Sequence, residues 1–274
     1  MLTGGEVVVA SLAAHGVELV FGIPGTHNLP LYDHLPASPI RHITPRHEQG
    51  AGYAADAYAR ATGKPGVCLT TTGPGVTNVM TAVATAHHDS VPLLILSPGM
   101  PATVEGRDTG FLHEVKAQSA AVDAIARSVR VRSAQEAVQA VADAFERFAA
   151  SRPRPCHIEI PLEVLAGDEE LDRVPVSATP QRPQPDDAAL EEAAAALAGA
   201  RAPCLLLGGG AADAGGEAVA LAERLGAMVL TTVRGKGTVP ESHPLSLGSS
   251  LRLASHRPRH RLPEGAERLL GWPP

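Results

Sequence analysis

The sequence predicts an α/β protein: a parallel sheet flanked by helices, followed by an incomplete second α/β domain. Three observations carry this. Short apolar runs such as Val67–Thr71 (VCLTT) and Leu93–Leu96 (LLIL) alternate with longer helical patterns from Glu18 to Ile160. Glycine-bearing turns separate several strands from the helices that follow them. The apolar runs are continuous rather than alternating, which suits a sheet buried on both faces.

Taken in order, Thr3-Gly4-Gly5-Glu6 has capping-box spacing, and the helix it opens runs to about His15 with Gly16 as its stop. Glu18–Phe21 is a strand, followed by a Gly22–Gly25 turn and a short helix over Leu29–His34. Ile40–Thr44 is a short strand closed by Pro45, and the next helix opens at Glu48. Glycines and alanines after Glu48 let that helix approach a neighbour closely. Val67–Thr71 is a buried strand, and Gly73-Pro74-Gly75 turns the chain into a helix reaching about His87. Leu93–Leu96 is another strand. The Gly99–Gly110 loop leads to further helices, the clearest at Ala134–Ala150, and to a last strand at Cys156–Ile160.

These elements define a domain over residues 1–166. An acidic and polar stretch carrying Pro175, Pro180, Pro183 and Pro185 reads as a linker over 167–187. A second α/β unit over 188–253 is incomplete, with a helix near Ala188–Ala198, a strand at Cys204–Leu207, a helix at Gly216–Leu225 and a strand at Met228–Leu230. Residues 254–274 form an atypical tail crowded with Arg257, Arg259, Arg261 and Arg268, without strand or helix period. Such text is expected from a premature end or a frameshift, so that the chain is truncated and inactive alone.

Composition excludes several classes. The 274 residues carry a net charge of −6, which argues against nucleic acid as a partner. No apolar run is long enough to span a membrane, and Met1-Leu2-Thr3-Gly4 is not expected to be a secretory signal. Cys68, Cys156 and Cys204 each lie in or beside an apolar run, which fits buried thiols in a reducing cytoplasm. His87-His88-Asp89 is no metal site, since adjacent helical residues do not face one point, and no metal ligands are expected elsewhere.

The position of Glu48 invites two readings. An acid in a helix's first turn is favoured by the macrodipole. A carboxylate at a strand-to-helix junction also sits where ligands bind in open α/β sheets. Five blocks decide between them: Phe21-Gly22-Ile23-Pro24-Gly25, Arg46-His47-Glu48-Gln49-Gly50-Ala51, Ala59–Val67, Thr72-Gly73-Pro74-Gly75-Val76-Thr77-Asn78 and Asp89-Ser90-Val91-Pro92. In this order and spacing they resemble the thiamine-diphosphate-dependent enzymes of the acetolactate synthase and 2-oxo acid decarboxylase superfamily, over roughly residues 3–253.

The resemblance implies an activity on 2-oxo acids, decarboxylation with carboligation, or simple decarboxylation in a relative; the alternative to both is a non-catalytic fragment or pseudo-subunit. It makes Glu48 the catalytic carboxyl, which hydrogen-bonds the pyrimidine nitrogen of thiamine diphosphate and drives its tautomerisation. Gly25, Pro74 and Asn78 join Glu48 as cofactor-binding residues. His47 and His113 are candidates for substrate contact or proton transfer. Leu112-His113-Glu114 departs from the Phe-Gln-Glu usual in acetolactate synthases, which puts the synthase specificity in doubt. The family holds Mg²⁺ through a Gly-Asp-Gly motif in a further domain, and Gly-Asp-Gly does not occur here. The intact form is then expected to be a homo-oligomer, dimer or tetramer, in which one subunit supplies the pyrimidine half of the site. Gly208-Gly209-Gly210 follows a strand without dinucleotide spacing; in the family this domain binds FAD in some members and nothing in others.

Overall fold

The computed structural model describes residues 2–169, 184–249 and 268–271, divided into two units, Met1–Arg182 and Pro183–Pro274. The first begins with β1 (Leu2–Thr3), α1 (Gly4–Ala14), β2 (Leu19–Gly22), α2 (Leu29–Tyr32) and β3 (Arg41–Ile43). It continues through α3 (Glu48–Thr62), β4 (Gly66–Leu69), α4 (Pro74–Asp89), β5 (Leu93–Gly99) and α5 (Gln118–Asp123). It closes with β6 (Arg127–Arg130), α6 (Ala134–Ala150), β7 (Cys156–Pro161), α7 (Leu162–Ala166) and β8 (Asp168–Glu169).

Six of these strands form one parallel sheet in the order β3-β2-β4-β5-β7-β6. Side chains alternate across it as the pleat requires. Val20, Val67, Leu69, Leu94, Leu96 and Ile158 face one core layer with α1 and α6. Phe21, Cys68 and Ile95 face the other, against Ala51, Ala55, Val79 and Val83 of α3 and α4. The predicted α/β class with a parallel, two-sided sheet is what forms.

Local chemistry accounts for the helix starts. Thr3 caps α1 by accepting from the Glu6 amide at 3.2 Å, as the capping-box spacing predicts. Ser133 caps α6 through the Glu136 amide. Gly63 ends α3 in the left-handed conformation. Helices α3 and α4 pack so closely that a methyl on Gly52 would lie 2.6 Å from the Ala82 Cβ. Along the same pair, the Tyr53 and Thr85 hydroxyls meet at 3.2 Å, and Arg60 bridges Asp56 and Asp89.

Strand β6 is a difference from the sequence expectation. Its RSVR text shows no apolar period because it is the sheet's edge, partly exposed, and needs burial from only one neighbour. Strand β5 extends three residues past the predicted end, through Ser97, Pro98 and Gly99.

The second unit comprises α8 (Asp187–Ala198), β9 (Pro203–Leu207), α9 (Gly215–Leu225), β10 (Met228–Thr231), β11 (Ser246–Ser249) and β12 (Arg268–Gly271), with a parallel sheet ordered β11-β10-β9-β12. Its core is Leu205, Leu207, Ala211, Ala222, Val229 and Val239. The predicted tail contains β12, a strand the sequence pattern does not announce; pairing with β9 makes it one. Residues 254–267 and 272–274 of that tail lie outside the described residues. Of the predicted linker 167–187, residues 170–183 also lie outside them, while Asp168–Glu169 pair with β1.

Candidate functional site

The sheet order reverses beside β2. The chain passes from β2 to β3 on one side, then returns to β4 on the other. In open parallel sheets, the carboxyl ends of strands at such a reversal leave a crevice where ligands bind. Here those ends lead into Ile23–Gly25 after β2 and Thr70–Gly73 after β4. The predicted site residues, His47 excepted, gather at this crevice.

Glu48 is the first residue of α3, half-buried, and its Oε2 accepts a hydrogen bond from Asn78 Nδ2 at 2.9 Å. Asn78 lies one turn into α4, so two helix N-termini converge on one carboxylate, where their dipoles favour negative charge. Gly75, on α4, leaves room for it: a methyl there would lie 3.5 Å from Glu48 Oε1 and 2.8 Å from Thr71 Cγ2. Pro74 opens α4 at a position where its missing N–H costs nothing. Gly25 faces Thr71, whose hydroxyl would lie 3.4 Å from an added methyl.

Asn28, fully buried, staples the Gly25 turn: its Oδ1 accepts from the Gly25 amide at 2.7 Å and its Nδ2 donates to the Ile23 carbonyl at 3.0 Å. On the other side of the crevice, Gly73 adopts φ 56° and His113 adopts φ 61°. The His113 carbonyl presses on Gly73 so tightly that any side chain there would collide with it, at 2.2 Å from a Cβ. Two residues in contact, both held at positive φ and one of them not glycine, mark a constrained corner.

Among the described residues, three of the seven buried, unpartnered side-chain atoms lie beside Glu48: the Tyr32 hydroxyl, Thr70 Oγ1 and Thr71 Oγ1; His113 Nδ1 lies at the Gly73 corner, and Ser11, His15 and His87 lie elsewhere. Burial, then the neighbouring Cys68 and Glu48, push the Tyr32 phenol above its ordinary pKa. Unmet hydrogen-bonding groups are costly, and their collection at one place calls for an occupant with polar atoms of its own.

His27 is a residue the sequence expectations missed. It is buried, its Nδ1 lies 2.7 Å from Thr72 Oγ1, and its ring stacks on Phe111 at 5.9 Å and meets His113 edge-on at 5.4 Å. Burial and then His113 lower its pKa, so the neutral imidazole is favoured. Its position two residues after the Gly22–Gly25 turn was the available signal; its partners lie far along the chain. The loop bearing Phe111 and His113 is tied by Glu114, which accepts from the amides of Thr109, Gly110 and Phe111. Against the opposing effect of desolvation, these amides hold the Glu114 carboxyl below its ordinary range.

His47 does not join this cluster. It caps α3, its exposed ring Nδ1 accepting from the Gln49 amide at 3.1 Å. In the second unit, Gly208–Gly210 leads from β9 into a short 3₁₀ turn, with Arg234 Cβ 3.1 Å from a methyl added at Gly209. Among the described residues, no three His, Cys, Asp or Glu side chains converge as metal ligands would. No described helix is long and apolar enough to cross a membrane.

Comparison with known proteins places these features in a family. Residues 2–121 match the thiamine pyrophosphate enzyme N-terminal TPP binding domain, and residues 190–271 match the thiamine pyrophosphate enzyme central domain. The chain is 49% identical over 255 residues to the probable 2-ketoarginine decarboxylase AruI of Pseudomonas aeruginosa, covering 92% of this chain and 46% of that protein. It is 37% identical over 255 residues to a probable acetolactate synthase large subunit of Methanocaldococcus jannaschii, covering 90% and 43%. It is 39% identical over 248 residues to the acetolactate synthase isozyme 1 large subunit of Escherichia coli, covering 90% and 44%. The chain spans less than half the length of these relatives.

Proposed function

The chain belongs to the thiamine pyrophosphate enzymes, and from that premise we propose that its first unit forms the pyrimidine-side half of a thiamine diphosphate site acting on a 2-oxo acid. The single observation behind this is the set of orphaned polar atoms around the Glu48–Asn78 pair at the sheet's reversal point. A polar heterocycle is the kind of occupant those groups lack, so the residues present fit the cofactor.

In this reading the cofactor supplies a stabilised nucleophilic carbon and a sink for the electrons released when a 2-oxo acid loses CO₂. The protein's part begins with Glu48, whose carboxyl shares a proton with the pyrimidine ring nitrogen. Asn78 orients that carboxyl. Gly25, Gly75 and Pro74 keep backbone close on either side, and the Thr71 and Tyr32 hydroxyls offer hydrogen bonds to ring substituents. The diphosphate and Mg²⁺ fall to a region these residues do not supply, from another segment or subunit of an oligomer.

A titration tests the assignment. The free aminopyrimidine alcohol of thiamine, and separately thiamine diphosphate with Mg²⁺, are added to the chain while backbone amide resonances are followed. Shifts confined to Thr71, Gly75 and the Glu48 turn, lost in Glu48→Gln, are expected. Shifts elsewhere, or unchanged in that variant, would overturn it.

The His27–His113 contact favours a second reading, decarboxylation without carboligation. Two imidazoles with Phe111 make a site able to hold a carboxylate or pass a proton. The identity to the 2-ketoarginine decarboxylase supports it. In an assembly that completes the site, 2-ketoarginine should yield an aldehyde; acetolactate formed from pyruvate as the main product would reject this reading.

A further inference from the structure

A line of hydrogen bonds runs beneath the sheet surface to the Gly73 corner. The Gly73 amide donates to Gln118 Oε1 at 2.7 Å. That bond fixes which end of the Gln118 amide is which. Its Nε2 donates to Ser97 Oγ at 3.1 Å and to the Pro98 carbonyl at 2.8 Å. Ser97 Oγ lies 2.7 Å from His157 Nε2, and His157 Nδ1 lies 2.7 Å from Ser128 Oγ. Ser97, Gln118 and His157 are all buried.

Only one proton arrangement satisfies every member. Ser97 already accepts from Gln118, so its own proton goes to His157 Nε2, and His157 donates through Nδ1–H to Ser128. The other tautomer would leave the Ser97 proton without an acceptor at a site closed to water, a costly outcome. Each bond therefore points the same way, and bonds in such a chain polarise and strengthen one another.

We propose that His157 is a positioning residue: in its Nδ1–H tautomer it anchors, through Ser97 and Gln118, the Gly73 amide that sets the corner between Glu48's neighbour Gly75 and His113. The functional meaning of that corner rests on the thiamine reading; the relay itself does not. Strand β7 thereby reaches a loop on which it has no side chain. Burial lowers the His157 pKa to about 4, which keeps the ring neutral and able to accept from Ser97 at ordinary pH. No aspartate, glutamate, lysine or arginine side chain takes part in the relay.

The experiment is native-state amide hydrogen exchange on the full chain, with ¹⁵N NMR of the His157 ring. His157→Phe should speed exchange at Gly73 about tenfold, and the milder Ser128→Ala about two- to threefold. Amides of Val8 and Ala55, remote from the relay, should keep their protection. The ring should show the Nδ1–H tautomer in the wild-type chain. If Gly73 exchange rises no more than that of Ile158 and Leu96, His157 is only a packed core residue and the relay fails. An Nε2–H tautomer also overturns it. Should His157→Phe not fold, Ser128→Ala decides. Neither measurement needs the cofactor, so failure here leaves the Glu48 assignment standing, and failure of that assignment leaves the relay standing.

Discussion

The two units use the same grammar, parallel strands alternating with helices, yet bury very different things. The first encloses Asn28, Asp56, Thr70, Thr71, Thr72, Ser97, Gln118, His157 and Glu159. Among the described residues of the second, only Thr231 and Ser249 are buried polar side chains. The orphaned buried polar atoms also all fall in the first unit, again among the described residues. Burying polar groups is expensive unless they are paired or await a ligand. The contrast therefore separates a unit with a polar interior from one whose described interior is almost wholly apolar, although both carry glycine-rich turns after strands.

The sharpest way to test that contrast is to remove its centre. Glu48→Gln preserves shape and can still accept from Asn78, so stability should fall by no more than about 1 kcal/mol through the lost helix-dipole interaction, while turnover by an assembly containing this chain should fall by about 10²–10⁴-fold. Equal activity of the variant, measured by product formation from a 2-oxo acid, would remove the chemical meaning of the first unit's polar core.

Acid should next distinguish the units. His157 stays neutral in the fold down to about pH 4, whereas in the unfolded chain it takes up a proton near its ordinary value of 6.5. The unfolded state then binds more protons in that window, so stability falls as pH drops from about 6.5 to about 4 and levels off below, a loss of about 3 kcal/mol from this residue. His27 and His87 are shifted the same way and add to it. Denaturant unfolding across this range should show the first unit losing stability, with a shallower slope in His157→Phe.

Packing gives a smaller difference. A methyl on Gly66 would meet the Ala55 carbonyl oxygen at 2.1 Å, so Gly66→Ala should destabilise the first unit by about 1–3 kcal/mol. In the second unit nothing lies within 4 Å of a methyl on Gly216, in the first turn of α9, so Gly216→Ala should stabilise by about 0.5–1 kcal/mol. Thermal melting of both variants measures the pair; equal costs would erase the distinction.

Much of this was legible in the sequence. Helix α6 has the predicted limits, α1 and α3 start at their predicted signals, and β4, β5, β7, β9 and β10 fall on their apolar runs, because buried parallel strands write themselves as such runs. Edge strands β6 and β12 escaped, since pairing to one neighbour requires little of the residues themselves. The Glu48 block was legible because its residues are contiguous. Its partner Asn78 is 30 residues away, and its role on the carboxylate emerges only from the packing of α3 on α4. His27 and His157 were invisible for the same reason: a lone histidine acquires meaning from Thr72, His113, Ser97 and Ser128, which only the folded sheet brings to it.

The α3–α4 pair has one more implication. The two helices run in the same direction, joined near their starts by Glu48 and Asn78 and near their ends by Arg60 and Asp89. Between those ties lie about three turns of helix, or about 18 Å. A slip of one turn, about 5.4 Å, would break both ties at once. The pair behaves as a ruler with a stop at each end, so the spacing at the carboxylate is metered in part by an ion pair about three turns away from it.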